Sequence, residues 1–164
     1  MHGHKVFIAS DHGGLEMSRA IVAMLDRNGV DVTYMGPAEY DKDDDYPDYA
    51  ERVCMAVLGS GGGGRGILIC RSGNGMARAA NKIPGIYAGL CWNEAMARKE
   101  MEHGNTNVLC MSAEHTAIDE AERIVEAWLS TPFSGDERHV RRRSKVEDIE
   151  RRGVGATTRR QQPV

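Results

Sequence analysis

The stretch GILICRSGNGMARAANKIPG, residues 66–85, carries the pattern that decides the fold. A short apolar run ends at Cys70, the small residues of SGNG follow, and ARAANK has the composition of a helix. An unbroken apolar run of this length is typical of a strand buried on both faces of a parallel sheet. The segment is therefore predicted to be a strand, a loop and a helix, with the loop at the carboxyl end of the strand.

The same alternation recurs along the chain. Apolar runs predict five strands, and the segments between them have helical spacing; the strands are expected at 5–10, 30–36, 66–70, 85–92 and 106–112. Right-handed crossovers place a helix between successive parallel strands. The predicted fold is α/β, a doubly wound, Rossmann-like sheet of five parallel strands with helices on both faces. Ligands of such sheets bind beyond the carboxyl ends of the strands, which makes segments 10–14, 70–75, 92–93 and 112–114 the candidate site.

The composition predicts an ordinary globular protein. The chain has 164 residues, of which 41% are hydrophobic and 27% charged, and no apolar run approaches the ~20 residues that span a bilayer. We expect one cytoplasmic domain over residues 1–150 and a polar, poorly ordered tail over residues 151–164. A net charge of −3 argues against a nucleic-acid partner. The four cysteines are widely spaced, which favours free thiols over a zinc site or disulfides.

Two glycine-rich segments carry different predictions. The pattern G-x-G-x-x-G occurs literally at residues 59–64, but it follows a helix and precedes a strand, the reverse of the dinucleotide-binding order, so a flexible connection is expected there. The SGNG loop has the required order, with a strand before it and a helix after it. It lacks the Lys and Ser or Thr of a nucleotide P-loop. Its backbone amides are therefore predicted to hold an oxyanion or a small phosphate.

Cys70, His12 and His103 are the candidate proton-transfer residues. Cys70 ends a strand beside the SGNG amides, where a thiolate or an enolate would be stabilised; the alternative is a small buried apolar residue. His12 directly follows the first strand and His103 precedes the fifth, and both are expected at the same end of the sheet. Histidines beside a cysteine suit proton transfer, although a lone histidine is more often structural.

Several motifs together resemble the ribose-5-phosphate isomerase type B family. They occur in one order over about residues 5–150 and read SDHGG, DDDYPDYA, SGNG, AANKIPG, EHGNTNVL and TPFSGDERHVRR. The family includes galactose-6-phosphate and allose-6-phosphate isomerases. The resemblance implies interconversion of ribose 5-phosphate and ribulose 5-phosphate through a cis-enediolate, as in the pentose phosphate pathway, with no metal or other cofactor.

The resemblance also implies roles for individual residues. Cys70 matches the proton-transferring base, because Met76 stands where other members place a glutamate, and His103 matches the histidine that opens the sugar ring. Asp11 would contact sugar hydroxyls and His12 the phosphate. The remaining substrate-binding positions are the loop Ser72, Gly73, Asn74 and Gly75 as an oxyanion hole, and the phosphate arginines Arg138 and Arg142. A solvated basic face remains the expectation for Arg141, Arg143, Arg151 and Arg152.

The family resemblance further implies a site shared between two subunits. The partners expected are therefore a phosphorylated sugar and a second copy of the chain, in a homodimer or a tetramer. The C-terminal helix is expected to pack on the partner subunit.

Three positions depart from the family pattern. Gly104 stands where the family usually has asparagine, Ala113 where it usually has arginine, and Arg71 where glycine is common; Arg71 and Gly104 are kept among the predicted substrate-binding residues. Arg71 either replaces the charge missing at Ala113 or points to solvent. These departures leave open a tetrose, allose or galactose phosphate as substrate, or a sugar-phosphate binding protein without catalysis. A metal enzyme is disfavoured because the acidic loop Asp41–Asp45 is expected to have no histidine partner.

Overall fold

The computed structural model describes residues 3–160, with side chains for residues 3–153. Five strands alternate with helices along the chain. In order they are β1 Lys5–Ser10, a 3-10 turn His12–Gly14, α1 Leu15–Arg27, β2 Asp31–Tyr34, α2 Tyr46–Gly59, β3 Gly64–Cys70, α3 Asn74–Ala80, β4 Ala88–Leu90, α4 Glu94–Lys99, a π-helical turn Glu100–Gly104, β5 Val108–Ser112, α5 Ile118–Ser130 and α6 Glu137–Arg160.

All strand pairings are parallel, and the strand order is β2-β1-β3-β5-β4. The predicted five-stranded parallel sheet is confirmed. The chain leaves β1 toward β2 on one side and returns to β3 on the other, so the switch point lies between β1 and β3. Ser10 pairs with Ile69, and Cys70 pairs with Ser112. We call the loops that follow these three strands the carboxyl edge of the sheet, and the loops that precede them the amino edge.

The core lies on both faces of the sheet. Side chains alternate along β3, so Ile67 and Ile69 pack in one apolar cluster with α1, α4 and α5, whereas Leu68 and Cys70 pack in the other with α2 and α3. Trp128 of α5 is fully buried, and its indole N–H donates to the Thr106 hydroxyl at 2.9 Å. Helices therefore cover both faces, as the strand and helix alternation predicts.

Most strand boundaries differ from the predicted ones. β2 covers only Asp31–Tyr34 of the predicted 30–36, and β5 only Val108–Ser112 of the predicted 106–112. β3 begins at Gly64, two residues earlier than predicted, and β4 is confined to Ala88–Leu90 because a turn with Gly85 at φ 84° precedes it. The last helix, α6, continues to Arg160. Residues 161–164 of the predicted tail lie outside the described residues, so the order of the tail remains a prediction. Within the described residues, no helix has the length and apolarity to cross a membrane.

Candidate active site

Cys70 ends β3 at the carboxyl edge, beside the switch point. Its side chain is buried, and its sulfur accepts the N–H of Gly73 at 3.2 Å. Gly73 has φ 73°, and a Cβ atom there would lie 2.5 Å from Leu90 Cδ1, so both the conformation and the packing require glycine. The turn therefore directs a backbone N–H at the Cys70 sulfur. The thiolate is the form in which a cysteine abstracts protons.

The other three cysteines have different surroundings. Cys54, Cys91 and Cys110 are all buried free thiols. Burial raises the pKa of Cys54 to about 12 and that of Cys91 to about 12, and it also raises the pKa of Cys110. Among the described residues, Cys70 is the only cysteine whose sulfur accepts a hydrogen bond. The structure thus separates one candidate base from three structural thiols.

The loop Ser72–Gly75 lies where the sequence predicts it, between Cys70 and α3. Asn74 begins the helix, and Gly75 packs against the ring of Tyr46, which leaves a Cβ atom at Gly75 only 3.1 Å from the ring. The first N–H groups of a helix have no intrahelical acceptor and can bind an anion. Met76, by contrast, is fully buried in the core.

Asp11 and His12 follow β1 on the other side of the switch point. The Asp11 carboxylate caps the 3-10 turn by accepting the N–H of Gly13 at 2.9 Å. Burial raises the pKa of the Asp11 carboxyl, although the Gly13 N–H and His12 oppose the shift. His12 Nδ1 lies 2.6 Å from Asp44 Oδ1. The expectation that the acidic loop has no histidine partner is therefore wrong, because β1 and α2 converge at this edge.

Arg71 lines a cavity of 330 Å³ at the carboxyl edge, together with His12, Tyr40 and Ala113. Its stem packs against Gly13, where a Cβ atom would lie 2.5 Å from Arg71 Cγ. The Arg71 carbonyl is held by the N–H of Glu114 at 3.0 Å. Arg71 and Ala113 therefore line the same cavity. This arrangement is required if Arg71 is to supply the positive charge that is missing at position 113.

His103 lies at the amino edge and lines a second cavity, of 270 Å³. Gly104 and Arg142 share this cavity, as does Tyr87. The spacing of Arg138 and Arg142 places both on one face of α6. His103, Gly104 and Arg142 therefore lie together at this cavity, and Arg138 lies one helical turn before Arg142 on α6.

His139 belongs to this cluster, and the sequence reasoning missed it. It is buried, its ring centroid lies 4.2 Å from that of His103, and Arg138 Nε donates to His139 Nε2 at 3.1 Å. Burial, followed by His103 and Arg138, lowers the pKa of His139. An arginine can only donate, so His139 is the neutral tautomer with its proton on Nδ1, directed at the Ser134 hydroxyl at 2.9 Å. The only signal in the sequence was a histidine between the arginines of ERHVRR.

The predicted position of His103 relative to His12 is wrong. His103 precedes β5, and a residue before a strand of a parallel sheet lies at the amino edge, whereas His12 follows β1 at the carboxyl edge. The register from Gly66 paired with Val108 to Cys70 paired with Ser112 spans four residues, roughly 13 Å of strand. Within one chain, the predicted site is therefore divided into two halves at opposite edges of the sheet.

Arg143 is also not part of a solvated basic face. Its guanidinium lies 4.9 Å from the centroid of the Tyr87 ring and donates to the Asn105 carbonyl at 3.1 Å. Glu150 of the same helix accepts the N–H of Gly85 at 3.1 Å. These contacts attach α6 to the amino edge. Elsewhere α6 leaves apolar side chains exposed, namely Val140, Val146 and Ile149.

The acidic loop Asp41–Asp45 and the histidines near the start of the chain, His2 and His4, are the remaining candidates for metal ligands. Within the part of the chain that the structure describes, no group of three or more His, Cys, Asp or Glu side chains is placed to hold a metal ion. His4 lies in the described range and contacts the Gly63 carbonyl at 3.3 Å. His2 lies outside the described residues.

A doubly wound sheet with polar loops at its switch point places the chain in the class of α/β proteins that bind small ligands at the carboxyl ends of their strands. The chain belongs to the Ribose/Galactose Isomerase family, whose model matches residues 6–146.

Named relatives agree with this assignment. The probable ribose-5-phosphate isomerase B of Mycoplasma pneumoniae is 38% identical over 90% of this chain and 96% of its own length. Ribose-5-phosphate isomerase B of Mycobacterium tuberculosis (strain H37Rv) is 34% identical over 92% of this chain and 93% of its own. The structure of the Mycoplasma genitalium enzyme with bound ribulose-5-phosphate matches with a TM-score of 0.88 and 38% identity, covering 92% of this chain and 99% of that one.

Proposed function

We propose that the chain is an aldose–ketose isomerase that interconverts ribose 5-phosphate and ribulose 5-phosphate. The observation that carries the proposal is the match of nearly the whole fold, with a TM-score of 0.88, to a ribose-5-phosphate isomerase B with bound ribulose-5-phosphate. The position of Cys70 at the switch point, with a backbone N–H on its sulfur, supports the same reaction. The four free thiols suit the reducing cytoplasm, which is the proposed location.

The proposed chemistry begins with the open-chain sugar. The Cys70 thiolate removes the proton from C2, and the electrons of the C2–H bond move toward C1, so that the carbonyl oxygen on C1 becomes an enediolate oxygen. The same thiol then returns the proton to C1, and the C2 oxygen becomes the carbonyl, its hydroxyl proton having moved to O1. The amides of Ser72–Gly75 would stabilise the negative charge on the enediolate oxygens.

The remaining roles divide between the two edges of the sheet. Asp11 would contact sugar hydroxyls and His12 the phosphate at the carboxyl edge. His103 would transfer a proton when the furanose ring opens, while Arg138 and Arg142 bind the phosphate. The contact of Arg138 with His139 would hold the guanidinium in place.

The division of the site supports a homodimer. The half with Cys70 and the half with His103 lie at opposite edges of one chain, so each complete site would take the carboxyl edge of one subunit and the amino edge of its partner. The C-terminal helix is proposed to pack on that partner, and its exposed apolar residues would be covered there: Val140 is 45% exposed, Val146 50% and Ile149 61%. A tetramer would be a pair of such dimers.

A second candidate is an isomerase of a different sugar phosphate. Gly104 lines the cavity beside His103 without a side chain, and a Cβ atom there would have its nearest neighbour at 3.5 Å. Ala113 similarly leaves space in the cavity beside Arg71. A non-catalytic sugar-phosphate binding protein has less support, because Cys70 and His103 are both present.

The substrate is tested by a panel of four-, five- and six-carbon aldose phosphates. Ribose 5-phosphate is expected to have the highest kcat/KM, measured from the rate of ketose formation. Unphosphorylated ribose is the matched control and should react far more slowly, because it lacks the anion that the arginines bind. A higher kcat/KM for a tetrose or hexose phosphate would favour an isomerase of that sugar phosphate instead. If none of the aldose phosphates is turned over, the protein would be a non-catalytic sugar-phosphate binding protein.

Arg71 is expected to supply positive charge to the substrate. Losing a charge-assisted hydrogen bond costs about 1.5–3 kcal/mol, so Arg71→Ala should raise KM roughly tenfold to a hundredfold. Adding Ala113→Arg to that variant should restore part of the loss, because both positions line one cavity. Arg27→Ala, at the far end of α1, is the control and should leave KM unchanged. An unchanged KM in Arg71→Ala would mean that Arg71 faces only solvent.

A further inference from the structure

Asp44 differs from the rest of the acidic loop Asp41–Asp45. Its side chain is only 6% exposed, whereas Asp41, Asp43 and Asp45 are exposed. Asp43 pairs with its neighbour Lys42 at 2.8 Å, a contact between two solvent-exposed side chains that contributes little. A buried carboxylate loses its hydration and must be compensated by specific partners. The burial of Asp44 therefore requires a specific partner.

That partner is His12, which lies 32 residues earlier in the chain. One carboxylate oxygen, Asp44 Oδ1, receives two contacts from it: His12 Nδ1 at 2.6 Å and the His12 backbone N–H at 3.1 Å. The edge of the Tyr40 ring meets the His12 ring at an interplanar angle of 77°, with the centroids 5.7 Å apart. The backbone and the ring of His12 are thus both fixed by the loop. The His12 side chain retains 17% exposure, at the cavity that Arg71 also lines.

The geometry determines the protonation of the ring. A carboxylate can only accept, so Nδ1 of His12 carries the proton. Within the described residues the ring makes no other hydrogen bond, which leaves Nε2 for a ligand. Both ring nitrogens of a histidine that carries two protons are donors, so Nε2 can donate to an anion in that form. The ring shares its cavity with Arg71, whose positive charge also suits an anion.

Tyr49 is the second side chain that contacts Asp44. Burial, followed by the charge of Asp44 and a side-chain hydrogen bond with it, raises the pKa of the Tyr49 hydroxyl. Of these two partners, only His12 lines the cavity that Arg71 also lines.

We propose that Asp44 is a positioning residue of the substrate site, holding the His12 ring by Nδ1 so that Nε2 faces the phosphate of the substrate. The inference rests on the proposed function for the identity of that phosphate. Asp44 itself is not proposed to contact a reacting atom. It acts through the orientation of the His12 ring, which also packs edge-to-face with the Tyr40 ring.

The test is Asp44→Asn in the full chain. An amide has the shape of the carboxylate without its charge, so KM for ribose 5-phosphate should rise about tenfold, while kcat changes less. Asp43→Asn, one residue earlier and exposed, is the matched control and should change neither constant. Asp44→Glu keeps the charge, so its KM should lie between those of the wild type and Asp44→Asn. If Asp44→Asn does not fold, the KM of Asp44→Glu is compared with the wild type instead.

A double-mutant cycle distinguishes positioning from a structural role. His12→Gln alone should raise KM, and adding Asp44→Asn to it should raise KM no further, because Asp44 acts through the ring that has been removed. Additive losses would overturn the proposal. So would an unchanged KM in Asp44→Asn.

The state of the ring is measured without turnover. Two-dimensional ¹H–¹⁵N spectra of histidine-labelled protein should show His12 protonated on Nδ1, and Asp44→Asn should change that signature. Inorganic phosphate should shift the His12 Nε2 signal, and should do so at about tenfold higher concentration in Asp44→Asn. If the protein failed to isomerise ribose 5-phosphate, the proposed function would fail while these spectra still tested Asp44. An unchanged His12 signature in Asp44→Asn would overturn the inference.

Discussion

Alanine in place of Cys70 is expected to lower kcat for ribose 5-phosphate by roughly 10²- to 10⁴-fold, the range for a lost proton-transfer group. The thiolate is the proposed base, and Met76, which stands where other family members place a glutamate, cannot exchange a proton in its place. Substrate binding should persist, since phosphate and hydroxyl contacts come from other residues. The measurement is incorporation of solvent deuterium at C2 of ribose 5-phosphate, followed by NMR, together with kcat.

Cys54→Ala is the matched control for the loss of a thiol. Cys54 is fully buried and packs in the same apolar cluster as Cys70. Its high pKa, about 12, keeps it protonated at neutral pH. The variant should lose stability through the cavity it creates and keep its kcat. Undiminished deuterium exchange in Cys70→Ala would remove Cys70 from the mechanism.

Much of the fold could be predicted because local chemistry determines it. The apolar run of β3, the positive φ of Gly73 and the start of α3 at Asn74 are all local, and they fixed the strand, loop and helix around Cys70. The strand order could not be predicted in the same way. No feature of the β5 sequence indicates that this strand lies between β3 and β4. The strand order depends on how the helices are distributed over the two faces of the sheet.

The parts of the candidate site that lie in recognisable sequence motifs could be predicted, and the contacts between distant segments could not. The resemblance identified the clusters around Cys70 and His103, but the edge of His103 was predicted wrongly, although its place before β5 was a sufficient signal. The contact between His12 and Asp44 joins residues 32 apart through a loop, and no periodic pattern reports such a contact. The role of His139 likewise depends on how α6 docks on the π-helical turn.

Two inactive variants are expected to restore activity when they share a dimer. Cys70→Ala damages the carboxyl edge and His103→Ala damages the amino edge. If each site takes one edge from each subunit, a mixed dimer has one site with both defects and one site with none. Random assembly makes half the dimers mixed, so about a quarter of wild-type activity should return, and purified mixed dimers should have about half. The measurement is isomerase activity after co-expression with two different affinity tags.

The control pairs two variants of the same edge. In a mixed dimer of Cys70→Ala with His12→Ala, each site receives one damaged carboxyl edge, so no intact site forms and activity should not exceed the mean of the two parents. The contrast between the two mixtures distinguishes a shared site from a general stabilisation of one variant by the other. If the site were complete within one chain, neither mixture would exceed its parents. That outcome would require His103 to approach Cys70 across the roughly 13 Å of strand that separates the two edges, a rearrangement that the parallel register of β3 and β5 opposes.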